Sequence, residues 1–127
     1  MPRQAKRLAR VQLFVCLGCC CGRTDRGHPE VPVDWLKAEW KRRGLRDWAH
    51  LTISGCLGPC ERTNVAMIAT AFGAQSFSDL ATTADYDALL QQVGRIAETG
   101  ALLPPLRVLA PHALTRFTPP AHDAALR

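Results

Sequence analysis

Long apolar runs are missing from this sequence of 127 residues. No stretch approaches the roughly 20 consecutive apolar residues that a membrane-spanning helix requires. The short apolar run after the basic first residues also lacks the longer hydrophobic segment and the small-residue cleavage site of a signal peptide. We therefore expect a cytoplasmic protein that makes no contact with a membrane.

Motifs of the common enzyme classes are missing as well. The sequence has no P-loop, no glycine-rich dinucleotide fingerprint, and no arrangement of Ser, His and Asp or of paired carboxylates. Its four histidines are scattered without a metal-binding HxxxH or HExxH spacing. These absences argue against hydrolase and nucleotide chemistry, and we expect a protein that catalyses no reaction of its own.

Acidic residues are scarce compared with basic ones. The chain has 11 Asp and Glu residues against 16 Lys and Arg residues, which gives a formal net charge of +5. Such a balance would suit nucleic acid, but no RNP-like, KH-like or zinc-finger spacing is present, and no basic stretch is interleaved with aromatic residues. We expect a solvated basic surface or docking to an acidic redox partner, and no nucleic-acid binding.

Apolar periodicity predicts the element order β-α-β-β-β-α and hence a small α/β sandwich. The predicted strands are 11–16, 50–54, 64–70 and 75–80, and the predicted helices are 34–43 and 82–99. Asp34 is the expected N-cap of the first helix. Thr82 and Asp85 resemble a capping box for the second helix, which Gly100 is expected to end.

The same pattern divides the chain into three parts. Residues 1–10 are predicted to be a basic flexible leader, and residues 11–100 form the folded domain. Five prolines between positions 104 and 120 disfavour a second domain. Residues 101–127 are therefore predicted to be a Pro-rich tail, either extended or wrapped around the body.

Six cysteines are the most informative feature that is present. In a reducing compartment, cysteines indicate metal or redox chemistry before a disulfide framework. They fall into two groups, 16–21 and 56–60, and each group lies in a glycine-bearing loop directly after an apolar strand. Such loops turn backbone amides toward sulfur and stabilise thiolate charge. A [2Fe–2S] cluster needs four thiolates, which two separate loops can supply.

The spacing Cys16-x4-Cys21, followed after a long separation by Cys56-x3-Cys60, resembles the thioredoxin-like [2Fe–2S] ferredoxins. That family includes the small [2Fe–2S] subunit of bacterial NADH dehydrogenase. Its "VC-x4-C" and "CLG-x-C" motifs match Val15 to Cys21 and Cys56 to Cys60 here, and the resemblance covers about residues 11–98.

This resemblance implies a fold, a cofactor and a role. The fold would be a thioredoxin-like small α/β sandwich with a mixed four-stranded sheet and two main helices. The cofactor would be one [2Fe–2S] cluster bound by Cys16, Cys21, Cys56 and Cys60. The role would be one-electron transfer to or from a redox partner protein, and a homodimer is implied by analogy.

The first cysteine group departs from the family pattern because Cys19, Cys20 and Cys21 are consecutive. Cys21 is the preferred second ligand because it gives the C-x4-C spacing, and Cys19 and Cys20 are the alternative ligands. The CCCG run also resembles small ferredoxin-domain proteins associated with cobalamin and metal-chelatase metabolism, which suggests a link to that chemistry.

Three other functions compete with the electron-carrier hypothesis. A structural zinc site would be satisfied by Cys16 and Cys19 together with Cys56 and Cys60. A thiol–disulfide redox protein would use the C-x-x-C motif of Cys16 and Cys19, although glycines and prolines delay the helix that should begin there. A cluster sensor or transfer protein would use the spare thiols Cys19 and Cys20.

Overall fold

The computed structural model describes residues 2–118 of the chain. Its strands and helices are β1 Val11–Cys16, α1 Val33–Arg42, β2 Ala49–Ser54, β3 Ala66–Thr70, β4 Gly73–Phe77 and α2 Thr83–Thr99. Short 3-10 turns lie at Thr24–Arg26, Leu45–Asp47, Cys60–Arg62 and Ala110–His112. The predicted element order is confirmed. Within the described part of the chain, no helix combines the length and the apolar character needed to cross a membrane.

The four strands form one mixed sheet in the order β2-β1-β3-β4. β1 and β2 are parallel, whereas β3 runs antiparallel to both β1 and β4. The predicted fold class, a small thioredoxin-like α/β sandwich with a mixed four-stranded sheet and two main helices, is confirmed. Because β1 and β2 are parallel neighbours, they end side by side, with Cys16 opposite Ser54. Both cysteine loops therefore start at the same end of the sheet.

The main core lies on one face of the sheet, where both helices pack. Side chains of β1 alternate, so Leu13 and Val15 point into this core and are fully buried. α1 contributes Leu36 and Trp40, as its spacing predicts. α2 contributes a longer apolar stripe: Tyr86, Leu89, Leu90, Val93, Ile96 and Ala97. Each large side chain of this kind contributes about 1.5–3 kcal/mol when it is removed from water.

The two helix starts differ in how well local sequence predicts them. The Thr82 hydroxyl accepts a hydrogen bond from the Asp85 amide, and the Asp85 carboxylate accepts one from the Thr82 amide, so the predicted capping box is confirmed. Gly100 ends this helix in the left-handed conformation. The predicted N-cap of α1 is wrong, because the helix begins at Val33, directly after Pro32. Asp34 lies in the first turn, where its negative charge still suits the helix dipole.

The third and fourth strands are shorter than predicted, and long-range contacts explain why. β3 begins at Ala66 because the two preceding residues bond to the first cysteine loop instead of extending the strand. β4 starts at Gly73, opposite Thr70. It ends at Phe77 because the Ser78 amide donates to the His112 carbonyl.

Residues 101–118 run back over the body of the protein. Leu109 is fully buried in the main core, and Ala113 forms a β-bridge with Phe77. The buried side chain of Gln92 donates to the Leu103 carbonyl at 3.0 Å and accepts from the Leu106 amide, also at 3.0 Å. The division into leader, domain and tail stays a prediction, and residues 119–127 of that tail lie outside the described residues.

Candidate metal centre

All six cysteines converge at the end of the sheet where β1 and β2 stop. They line one small, tightly closed pocket together with Leu57, Gly58, Pro59 and Val65. The six thiols are free of disulfide bonds. None of the residues that line this cavity is acidic. The cavity therefore presents sulfur ligands in an apolar surrounding, which suits soft metal ions and iron–sulfur clusters.

Cys16 and Cys21 form the base of the cavity and are 4% and 1% exposed. The Cys16 amide donates to the Val65 carbonyl at 3.0 Å. The Val65 amide donates to the Cys21 Sγ at 3.4 Å. Burial, followed by a hydrogen bond with Cys16, raises the pKa of the Cys21 thiol to about 12. A thiolate at this depth requires a cationic partner, such as a metal ion that displaces the proton.

Asn64 holds the first cysteine loop, which comprises residues 17–22. Its side chain is fully buried. The Asn64 Oδ1 accepts from the Gly22 amide at 2.8 Å, and the Nδ2 donates to the Pro29 carbonyl at 2.8 Å. The sequence pattern predicts a strand that includes Asn64 and gives no sign of this role. The two partners lie 42 and 35 positions away along the chain, so no local pattern reveals them.

Cys56 and Cys60 form the mouth of the cavity, on the second cysteine loop, residues 55–60. Cys56 is exposed, Cys60 is half-buried, and their sulfurs lie 2.9 Å apart. Hydrogen bonds from Cys60 and from the Gly58 amide, the latter at 3.3 Å, lower the pKa of Cys56. The same contact with Cys56 raises the pKa of Cys60 to about 12. The contact between the two sulfurs thus favours the thiolate form of Cys56 and the protonated form of Cys60.

A residue of the C-terminal segment also contacts the second cysteine loop. The Arg116 guanidinium donates to the Leu57 carbonyl. Its positive charge is one of the causes that lower the pKa of Cys56. No sequence pattern predicts this contact, because Arg116 is far from the cysteines along the chain and belongs to no motif.

The remaining thiols, Cys19 and Cys20, lie at the rim. Cys19 is exposed and Cys20 is half-buried, and their sulfurs are 3.9 Å apart. The sulfurs of Cys19, Cys20 and Cys60 all lie within 4.8 Å of one another, so these three residues could hold a metal ion. A cysteine metal site is therefore supported. Which thiols serve as ligands, including the preference for Cys21, stays a prediction.

The arrangement disfavours dithiol catalysis by the C-x-x-C motif. A reactive first cysteine must reach a substrate disulfide, yet Cys16 is buried at the base of the cavity. No helix begins at this motif to stabilise a thiolate, because α1 starts only at Val33. The motif therefore lacks both the access and the dipole that activate such a thiol.

The residues present fit a [2Fe–2S] cluster. Two pairs of thiols are available, one from the end of β1 with the first loop and one from the second loop. The amides of Gly58 and Val65 donate to sulfur, as is typical of cluster-binding loops. Two sulfurs bound about 2.3 Å from one tetrahedral metal ion lie roughly 3.8 Å apart. Cys56 and Cys60 need to separate by less than about 1 Å from their 2.9 Å distance to reach that geometry.

No protein-family model matches this chain, and no curated protein matches it. Its function is therefore inferred from the thiols and their surroundings.

Proposed function

We propose that this protein is a thioredoxin-like [2Fe–2S] ferredoxin, a cytoplasmic one-electron carrier that binds its cluster through Cys16, Cys21, Cys56 and Cys60. One observation carries the proposal: two neighbouring parallel strands end in cysteine loops that open onto a single cavity without acidic residues. Zinc sites also use four thiols, and their usual C-x2–4-C spacing admits these pairs as well, so the preference for a cluster rests on the resemblance of both motifs to the ferredoxin pattern.

The cysteines divide naturally into one pair for each iron. Cys16 and Cys21 interact with each other at the base of the cavity, and Cys56 and Cys60 are in contact at its mouth. The first pair is withdrawn from solvent, whereas the second pair faces it. This difference in exposure suits electron transfer, because one end of the site is protected and the other is accessible to a partner.

The bound cluster would supply reversible one-electron chemistry and carry one more negative charge when reduced. The chain's own groups offset that charge. The amides of Gly58 and Val65 donate to sulfur, and the Arg116 guanidinium lies against the second loop. Leu57 and Val65 are apolar members of the cavity lining and limit the access of water to the sulfurs.

The proposal assigns electron transfer to a partner enzyme and no reaction to this chain itself. The resemblance of its CCCG run suggests a partner linked to cobalamin or metal-chelatase metabolism. The resemblance to the thioredoxin-like [2Fe–2S] ferredoxins suggests a homodimer, which sedimentation analysis of the cluster-loaded protein would test.

Iron and acid-labile sulfide analysis of anaerobically purified protein tests the proposal. We expect two irons and two sulfides per chain, visible charge-transfer absorption, and a rhombic EPR signal after one-electron reduction. Cys60→Ser should lose or distort these signals. Cys19→Ser is the matched control and should leave them unchanged. Protein that stays colourless and free of iron after cluster reconstitution would refute the proposal.

A structural zinc protein is the second candidate, because the Cys19, Cys20 and Cys60 sulfurs already lie within 4.8 Å of one another. This geometry would hold one ion at the rim of the cavity. Metal analysis separates the two candidates directly. Zinc bound in place of iron, lost in Cys19→Ser and retained in Cys21→Ser, would favour the zinc site. Iron and sulfide lost in Cys21→Ser would favour the cluster.

A further inference from the structure

A second concave surface lies away from the cysteines, between α1 and the edge strand β2. It is an open depression of about 490 Å³, and we call it the basic groove. Its cationic lining residues are Arg7, Lys37, Lys41 and Arg46, with His50 beside them. No cysteine lines it. The basic groove is therefore separate from the candidate metal centre.

Positive charge in the basic groove is unpaired, unlike much of the positive charge elsewhere. Arg23, Arg42, Arg43 and Arg62 each form an ion pair with a carboxylate. Within residues 2–118, none of the four cationic side chains of the basic groove does so, and no Asp or Glu lines it. The groove thus concentrates uncompensated positive charge on one side of the protein.

Two features indicate that the positively charged groove binds an anionic partner. Lys37 and Lys41 are four residues apart on α1, where like charges repel each other, and an anion bound between them relieves that repulsion. The Arg7 guanidinium donates to the Arg46 carbonyl, which fixes a leader arginine at the groove.

The basic groove follows the outer edge of β2. His50 and Thr52 lie on one face of the sheet and Leu51 lies on the other, yet all three line the groove. β2 is the end strand of the sheet and pairs only with β1 among the described residues. Its outer edge therefore presents backbone groups that an added strand can pair with.

We propose that the basic groove binds an acidic, extended segment of a partner protein, which adds to the outer edge of β2. Backbone hydrogen bonds to the edge supply affinity, and carboxylates against Lys37, Lys41 and Arg46 supply specificity. Such binding does not require a cluster. Because β2 leads directly into the second cysteine loop, a segment bound here brings its parent protein beside Cys56.

Fluorescence anisotropy with the full chain tests this binding site. The probe is a short fluorescein-labelled peptide in which valine and glutamate alternate. We expect saturable binding that weakens as salt is raised. Lys41→Glu should reduce the affinity about tenfold. Arg107→Glu changes the net charge equally at an exposed position outside the groove and should change the affinity less than about twofold. Equal losses in the two variants would overturn a defined site.

A second peptide tests strand addition separately from charge. It has the same sequence, but its amides on the pairing side are N-methylated, so it cannot bond to the edge of β2. Loss of binding supports strand addition, and equal binding overturns it.

A single-stranded oligonucleotide that displaces the peptide and whose binding depends on Lys41 would reassign the groove to nucleic acid. The peptide titration is repeated with Cys60→Ser, which lacks a proposed cluster ligand. Unchanged peptide affinity in this variant shows that binding in the groove does not depend on the cluster.

Discussion

The two cysteine loops follow neighbouring strands, yet their cysteines differ in exposure to solvent. Cys16 at the end of β1 and Cys21 in the first loop are 4% and 1% exposed, inside a small apolar cluster with Val65. The second loop leaves Cys56 exposed and Cys60 half-buried. One site therefore combines a protected base with an accessible mouth, an asymmetry that would suit the proposed electron carrier.

The loops also differ in what holds them. The first is tied to the body by the buried Asn64 side chain and by the amide of Val65. The second depends on the backbone geometry of Gly58 and on Arg116 from the C-terminal segment. We infer that the first loop fixes the position of the metal centre, while the second controls its exposure.

Substituting one cysteine from each pair should give the largest effect. Cys16→Ser places a hydroxyl at a buried ligand position and should abolish cluster binding. Cys56→Ser acts at the exposed mouth, where serine oxygen and solvent can reach the metal, and should retain a cluster with altered absorption. Iron content and visible spectra of the reconstituted variants measure the difference. If Cys56→Ser loses the cluster and Cys16→Ser retains it, the assignment of base and mouth is wrong.

Removing the Asn64 side chain should loosen the first loop. Asn64→Ala leaves the Gly22 amide and the Pro29 carbonyl without partners. We expect a loss of about 2–4 kcal/mol in the free energy of unfolding, measured by urea denaturation. Gln12→Ala removes one half-buried hydrogen bond to Thr52 and should cost less than about 1.5 kcal/mol. Similar losses in both variants would contradict a special role for Asn64.

Two glycines of the second loop offer a matched pair. Gly58 has φ of +121°, and a Cβ there would lie 2.8 Å from the Arg116 Nη2, whereas a Cβ at Gly55 meets nothing within 4 Å. Gly58→Ala should destabilise the protein by roughly 1–3 kcal/mol and speed cluster loss. Gly55→Ala should stay within about 0.5 kcal/mol of the parent protein. Equal stability and equal rates of cluster loss would show that the loop geometry at Gly58 is not required.

Neutralising Arg116 should have the smallest effect, on the reduction potential. Reduction adds negative charge beside this guanidinium, so its loss disfavours the reduced state. An exposed charge interaction of about 0.2–1 kcal/mol corresponds to a potential lowered by roughly 10–40 mV in Arg116→Gln, measured by redox titration. Arg107→Gln removes the same charge from an exposed position outside the cysteine cavity and is the control. An unchanged reduction potential in Arg116→Gln would show that the charge of Arg116 does not act on the site.

Local sequence determined the elements of this protein and the chemistry of its loops. β1 over Val11–Cys16 was predicted to the residue, because a short apolar run followed by glycine has few alternatives. The capping box of α2 was predictable because Thr82 and Asp85 are three positions apart and bond to each other. The cysteine pairs were likewise visible as spacings within single loops.

Only the tertiary structure decided how those pieces meet. It made β1 and β2 parallel neighbours, which brings the two cysteine loops together. It also set Asn64 against the first loop and Arg116 against the second, and it gathered the sulfurs of Cys19, Cys20 and Cys60. These contacts join residues far apart along the chain. They follow from how the sheet and helices pack, so no local pattern of propensity or spacing encodes them.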